Sequence, residues 1–119
     1  MTEPDPAKPN ISFDDFLKLD LRIAKVLEVA DHPNADKLYV LKVDLGDEQR
    51  QLLAGLKPYM APEALLGQNV VVVANLEPRK LRGIESQGML LAASHLQDDQ
   101  RRVVFLTTDP SVPAGAEIS

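Results

Sequence analysis

The sequence predicts an all-β domain built from five short strands. From Leu21 onward, runs rich in Val, Leu and Ile alternate with clusters of Gly, Pro, Asn and Asp, which is the pattern of strands separated by turns. The chain has 119 residues, the length of one domain. Its residues are 45% apolar but only 4% aromatic, so aliphatic side chains must fill the core.

The first ten residues are expected to form a tail. Residues 1–10 contain three prolines and are otherwise mostly polar, a composition typical of a disordered or linker-like segment. We therefore expect residues 11–119 to form the folded domain.

A short helix is predicted over Ser12–Leu19. Ser12 is a favourable N-cap, and Asp15 follows three residues later, as in a capping box with a shorter acid. The apolar face of this helix comprises Phe13, Phe16 and Leu17. A helix of this length is not stable alone, so that face needs an apolar surface to cover.

Three strands are predicted to follow. The first spans Leu21–Ala30, and a turn at residues 31–34 separates it from the second, Lys37–Leu45. Gly46 and Asp47 then form a hairpin to the third strand, Gln49–Ala54. Alternation in the second strand predicts one buried face. That face consists of Tyr39, Leu41, Val43 and Leu45.

The second half of the chain begins with a short helix over Ala61–Leu66, since proline lies near its start and glycine after its end. Further strands are predicted over Asn69–Leu76, Ser86–Ala93 and Arg101–Leu106. The first five of these strands, with the short helix between the third and the fourth, have the order of an OB-fold, a five-stranded barrel that often binds oligonucleotides. The stretch Val103–Ile118 extends past those five strands as a C-terminal β extension.

Residues 74–91, which we call the basic segment, combine the side chains that suit RNA. Its cations are Arg79, Lys80 and Arg82, its hydrogen-bonding side chains include Asn75, Ser86 and Gln87, and its flexible apolar side chain is Met89. Cations bind phosphates, and amides and hydroxyls bind sugars or base edges. Two glycines, Gly83 and Gly88, permit unusual backbone angles or close approach of another strand. The alternative is a solvated hairpin loop.

The order of these residues resembles the signature of the tRNA-binding domain family. Ala74–Met89 resembles the signature loop, Asp20–Val26 the first strand, His32–Leu38 the first turn and Ile11–Asp20 the preceding helix. The family includes the C-terminal domain of bacterial methionyl-tRNA synthetases, stand-alone tRNA-binding proteins and auxiliary domains of the endothelial monocyte-activating polypeptide type. The resemblance covers residues 11 to 119 and implies the same OB-fold.

The resemblance also implies a set of RNA-binding residues. They are Asn75, Lys80, Arg82, Ser86, Gln87 and Met89. Two further cations complete the predicted set: Arg79 in the same basic segment, and Lys37 as a neighbouring contact to phosphate. For several of them a structural role is an open alternative: Asn75 could cap a turn, and Ser86 and Gln87 could bridge a hairpin. Met89, inside a predicted strand, could belong to the core.

The composition excludes several other classes of protein. The chain has no Cys and only two His, neither at metal-ligand spacing, so we expect no metal site, no cofactor and no catalytic activity. No apolar run is long enough to cross a membrane, and a cytoplasmic location is expected. The net charge of −5 predicts that RNA binding is modest and depends on shape.

The predicted function is therefore a non-catalytic tRNA-binding module that reads the shape and backbone of folded tRNA. It would act alone or as part of a methionyl-tRNA synthetase. Closure of the barrel leaves the first helix and the C-terminal extension without a place in the core, which predicts a homodimer. The alternative to a dimer is that both segments cap the bottom of a monomeric barrel. The alternative function is a protein-binding module like the family's secretion-linked chaperone relative. That relative lacks the Glu85–Met89 run of this chain, which favours tRNA.

Overall fold

A computed structural model of the protein describes residues 8–119. Residues 1–7 of the predicted tail lie outside the described residues, and residues 8–10 have no regular secondary structure. Two short helices and ten strands are formed by the rest. In chain order they are α1 (Phe13–Phe16), β1 (Leu21–Asp31), β2 (Tyr39–Asp44), β3 (Gln49–Ala54), α2 (Pro62–Leu65), β4 (Asn69–Val73), β5 (Arg79–Leu81), β6 (Ile84–Ser86), β7 (Met89–Leu90), β8 (Ala92–Gln97), β9 (Gln100–Phe105) and β10 (Glu117–Ile118).

Five of these strands form a nearly closed barrel, in the order β3-β2-β1-β4-β7, which confirms the predicted OB-like fold. The long first strand is shared between two neighbours: its first half pairs with β4, and its second half pairs with β2. A shift in register between Val26 and Glu28 bends β1 at the changeover. Such bulges increase local twist, which helps a sheet to curl on itself.

The barrel interior is aliphatic, as the composition predicts. Tyr39, Leu41, Val43 and Leu45 are all buried, whereas Lys42 between them is exposed, so the predicted alternation in β2 is confirmed. Every residue of β4 is buried, which explains why that strand is almost entirely apolar. Leu65 from α2 is fully buried and joins the same core.

The first helix is shorter than predicted. It spans one turn, Phe13–Phe16, although Ser12 caps it as expected, its hydroxyl oxygen accepting a hydrogen bond from the Asp15 N–H at 3.0 Å. The prediction of a helix to Leu19 was wrong because Asn75 binds the backbone there. Its side-chain amide donates to the Lys18 carbonyl at 2.6 Å, and its oxygen accepts from the Asp20 N–H at 2.8 Å. Neither helix within residues 8–119 could span a membrane.

The basic segment differs most from its predicted form. The fourth strand ends at Val73 rather than Leu76, and the predicted loop contains the paired strands β5 and β6. The predicted strand Ser86–Ala93 is divided among β6, β7 and β8, since Gly88 has a φ of 132° and interrupts the extended chain. That angle is accessible almost only to glycine.

The C-terminal extension has two parts. Strands β8 and β9 form a separate two-stranded hairpin, and β10 pairs with the start of β1. The chain between them is fastened to the barrel by Asn69, whose side-chain amide donates to the carbonyls of Asp109 and Val112 at 3.3 and 3.1 Å. The predicted β extension is therefore present, and its last strand, β10, pairs with the start of β1.

Candidate nucleic-acid interface

The cations of the basic segment lie on a tight hairpin formed by β5 and β6. Arg79 is opposite Ser86, Lys80 opposite Glu85 and Leu81 opposite Ile84, with Arg82 and Gly83 as the two turn residues. Both turn residues have positive φ, 50° at Arg82 and 88° at Gly83, as in a type I′ turn. Asparagine or glycine is the usual residue at the first of these positions. The turn instead places a guanidinium at its tip, at a backbone cost of about 1–2 kcal/mol.

The hairpin cations have no acidic partner among the described residues. Ion pairs within 4.0 Å involve Lys18, Arg22, Arg50 and Lys57, none of which belongs to the hairpin. Arg79, Lys80 and Arg82 are all exposed. Even Lys80 and Glu85, which face each other across the two strands, form no such pair. Cations without partners are available to bind phosphates.

His32 fixes the position of the hairpin relative to the barrel. The residue is 4% exposed. Its Nδ1 accepts a hydrogen bond from the Asn34 N–H at 3.0 Å, which leaves Nε2 as the donor to the Leu81 carbonyl at 3.1 Å. These two hydrogen bonds give the histidine a structural role. The contact brings the turn between β1 and β2, which carries the exposed Lys37, against the hairpin.

Ser86 and Gln87 close the barrel. The Ser86 hydroxyl oxygen accepts from the Leu53 N–H at 3.0 Å and donates to the Gly88 carbonyl at 2.9 Å. The Gln87 N–H donates to the Gln51 carbonyl at 2.8 Å, and the Gln87 side-chain oxygen accepts from the Gln51 N–H at 3.1 Å. These bonds join β3 to the segment before β7, where no regular ladder forms. Ser86 is only 7% exposed, and its hydroxyl joins β3 to this segment rather than bridging the two strands of the hairpin.

Arg50 supports the same closure and carries no signal in the sequence. From β3, its guanidinium forms an ion pair with Glu48, donates to the Ala74 carbonyl, and lies 3.4 Å from the Gln87 carbonyl. It therefore crosses from β3 to both ends of the basic segment. Nothing in the alternation of the strand distinguishes an arginine of this kind from an ordinary solvated one.

Met89 lies outside the core. Its neighbour Leu90 is buried in β7, whereas Met89 is 46% exposed and faces outward beside Leu76, which is 41% exposed. Arg79 and Met89 line one concave surface together with Leu76. The alternative that Met89 packs in the barrel is therefore wrong, because alternation in β7 points its side chain away from the interior.

The predicted site residues thus fall into two groups. Arg79, Lys80, Arg82 and Met89 are all exposed, and we call these four residues the hairpin surface. Arg79 and Met89 line one concave surface, and Lys37 lies on the turn that His32 holds against the hairpin. The side chains of Asn75, Ser86 and Gln87 are bound to backbone groups of the protein. RNA contact by any of these residues remains a prediction.

The described residues contain no group of three or more His, Asp or Glu side chains that could hold a metal ion. Two groups in this part of the chain have shifted pKa values, and both lie outside the hairpin surface. A hydrogen bond from Arg22 to Asp20, and the charge of that carboxylate, raise the pKa of Arg22. Hydrogen bonds with Ser111 lower the pKa of Asp109.

The chain is similar in sequence to one protein family and to part of several known enzymes. Residues 21–117 match the model of the family described as "Putative tRNA binding domain". The chain is 66% identical over 108 residues to the methionine–tRNA ligase of Thermococcus kodakarensis, covering 91% of this chain and 14% of that enzyme. It is 54% identical over 109 residues to the methionine–tRNA ligase of Thermotoga maritima, covering 92% of this chain and 17% of the enzyme. The chain therefore spans less than a fifth of either ligase.

Solved structures with the same fold include two small proteins. A MetRS-related protein from Pyrococcus horikoshii superposes with a TM-score of 0.85 at 32% identity, over 94% of this chain and 100% of that one. The chaperone CsaA from Bacillus anthracis superposes with a TM-score of 0.81 at 31% identity, over 93% of this chain and 100% of that one. The barrel fold, the sequence relatives and the match over residues 21–117 agree: the chain belongs to the tRNA-binding domain family.

Proposed function

We propose that this tRNA-binding module grips folded tRNA through the hairpin surface, by contacts to the backbone and without any chemistry of its own. The observation that carries the proposal is a set of three exposed cations that have no acidic partner within residues 8–119, on a hairpin held by His32. They are Arg79, Lys80 and Arg82. A rigid cluster of cations can match the spacing of phosphates on a folded RNA without first being ordered. Lys37 would add a contact from the neighbouring turn.

The same features limit the binding to modest affinity. The net charge is −5, so the protein can neutralise few phosphates. Acidic residues elsewhere on the surface repel any further phosphates of the RNA. Aromatic side chains for stacking bases are scarce, since Tyr39 is 3% exposed and its hydroxyl is hydrogen-bonded to the Met60 carbonyl. Recognition would therefore depend on the folded shape of the RNA and its 2′-hydroxyls rather than on a long stacked strand.

The setting we propose is the end of a methionine–tRNA ligase, or a separate protein that assists one, in the cytoplasm. Relatives that share 66% and 54% identity with this chain are methionine–tRNA ligases, of which it matches a small part. A binding module joined to a catalytic domain raises the local concentration of tRNA without adding contacts at the reacting groups. The reaction itself would belong to other parts of such an enzyme.

Binding to intact tRNA should exceed binding to unfolded RNA of similar length. We expect total tRNA to bind at least about tenfold more tightly than poly-U, because the module lacks the aromatic platform that long single strands require. Gel shift or fluorescence anisotropy at one fixed salt concentration measures both, with duplex DNA as the control for charge alone. Equal affinity for tRNA and poly-U would contradict recognition by shape.

A second candidate function is binding of unfolded polypeptide. It is favoured by the structural similarity to the chaperone CsaA and by the exposed Leu76 and Met89 beside the hairpin. An unfolded peptide that competes with tRNA, and binds equally well after the hairpin cations are neutralised, would favour this candidate instead.

We also propose that the protein forms a homodimer. Exposed apolar residues gather at both ends of the chain. They are Ile11, Phe13, Leu17 and Leu19 near α1, and Leu96, Val104 and Leu106 on or just after the hairpin of β8 and β9. A second copy of the chain would cover these side chains, and a stable interface should bury at least about 1,000 Å².

Phe13→Asp should convert the dimer to a 13.1 kDa monomer. Phe13 is 72% exposed, so a charge there should cost a monomer almost nothing, whereas in an interface it would be buried without a partner. Light scattering or sedimentation at micromolar concentration measures the mass. Leu66→Asp, at a leucine 52% exposed beside α2, is the matched control. A wild-type protein that is already monomeric at these concentrations would end the dimer proposal.

A further inference from the structure

An apolar pocket opens beside the basic hairpin. It has a volume of about 460 Å³, and its walls are mostly aliphatic. The apolar lining residues are Leu38, Leu53, Leu76, Leu81 and Met89. Leu76 and Met89 are each more than 40% exposed, so this pocket leaves apolar surface in contact with water. Uncovered apolar surface with a polar rim is typical of a binding site.

The walls of the pocket are held in place before any ligand arrives. Leu38 ends the turn that His32 begins, and the His32 N–H donates to the Leu38 carbonyl at 3.1 Å. The ring of the same histidine binds the carbonyl of Leu81 on the opposite wall. Leu53 is fixed because its N–H donates to the buried Ser86 hydroxyl. A ligand therefore meets a formed cavity and loses little affinity to ordering the protein.

The charges at the rim indicate the class of ligand. Arg79 lines the pocket and is also the first cation of the hairpin, with Lys80 and Arg82 following along the same strand and turn. Glu77 lines the pocket as well and can accept hydrogen bonds. A nucleotide combines a flat apolar face, N–H groups on the edge and an adjoining anionic phosphate. An apolar peptide side chain would fill the pocket but would leave the cations unused.

We propose that this pocket seats one unstacked nucleobase of the bound RNA. The faces of the base would lie against Leu76 and Met89, its N–H groups would approach Glu77, and its phosphate would lie on Arg79. Aliphatic and thioether side chains can hold the face of a base as aromatic rings do in other RNA-binding proteins. The inference rests on the proposed tRNA binding. It adds that one base, from a loop or an end of the RNA, is no longer stacked on its neighbours.

Gly55→Leu tests the pocket without altering any charge. Gly55 lines the pocket, its φ is ordinary, and a Cβ built on it meets only a Leu38 methyl at 3.9 Å, so a larger side chain can enter the cavity without backbone strain. We expect tRNA to bind about tenfold more weakly, with an unchanged melting temperature. Ala92→Leu, which adds similar bulk at an exposed position of β8, is the matched control and should bind as wild type does.

A second measurement identifies the occupant. Adenosine 5′-monophosphate at millimolar concentration should shift the methyl resonance of Met89 in wild type but not in Gly55→Leu, and ribose 5-phosphate should not shift it. If wild type and Gly55→Leu bind tRNA equally, the pocket proposal is overturned while tRNA binding stands. If the wild-type protein binds no tRNA, the proposed tRNA binding is itself wrong. If the Met89 methyl resonance shifts with an apolar peptide but not with the nucleotide, the pocket binds polypeptide. That result would overturn the proposal that it binds a nucleobase.

Discussion

Neutralising the hairpin cations together, as Arg79→Gln, Lys80→Gln and Arg82→Asn, should weaken tRNA binding by at least about 3 kcal/mol, or roughly 150-fold. Each single change should cost about 1–3 kcal/mol, because each of these exposed cations is without an acidic partner in residues 8–119 and is free to lie on a phosphate. The fold should persist. Asparagine suits the positive φ of 50° at position 82 better than arginine does, so the turn should be retained or strengthened.

The control for this experiment removes charge from elsewhere on the surface. Arg101→Gln with Arg102→Gln neutralises two exposed cations of β9 and should change tRNA affinity much less. In the hairpin variant, the plot of the logarithm of affinity against the logarithm of salt concentration should become shallower. Its slope should decrease in magnitude by about one for each phosphate that is no longer neutralised. A folded triple variant that binds tRNA as tightly as wild type would remove the hairpin from the binding site.

Gly88→Ala should lower the free energy of unfolding by about 3 kcal/mol. The φ of 132° at this residue is unfavourable for any side chain, and an added Cβ would lie 3.0 Å from the Val73 carbonyl oxygen and 3.3 Å from a Leu52 methyl. Both neighbours belong to the barrel wall, so neither can move without disturbing β4 or β3. Urea unfolding measures the decrease, and tRNA binding should weaken at the temperature where the barrel begins to open.

Gly83→Ala is the matched control for that prediction. Gly83 also has a positive φ, 88°, but no atom lies within 4 Å of the position that a Cβ would occupy. Alanine there should cost only the backbone strain, about 1 kcal/mol. If Gly83→Ala proves as destabilising as Gly88→Ala, the close approach at Gly88 contributes nothing and the explanation is wrong.

The signature of the basic segment therefore has a structural part and a surface part. Ser86 and Gln87 close the barrel by hydrogen bonds to β3, and Gly88 lets the chain pass close to β4. Arg79, Lys80 and Arg82 on the hairpin face solvent. A change in the structural part should lower both the stability of the protein and its affinity for tRNA. A change in the surface part should lower the affinity for tRNA alone.

Local sequence determined the fold and the location of the cations. Alternation in β2 identified its buried face, Gly46 and Asp47 marked the hairpin to β3, and the all-apolar run at Asn69 predicted the central strand β4. These features are local because a strand alternates with period two and a tight turn needs particular residues within a few positions. The crowding of Arg79, Lys80 and Arg82 was visible for the same reason.

Only the tertiary structure decided which polar side chains remain free to bind a ligand. Asn75 is bound to the backbone at Lys18 and Asp20, Ser86 to the N–H of Leu53, and His32 to the carbonyl of Leu81. Each partner lies more than 30 residues away along the chain, and barrel closure is what brings the two together. A hydrogen-bonding side chain has the same identity whether its partner is a distant backbone group or an RNA, so no local pattern distinguishes the two roles.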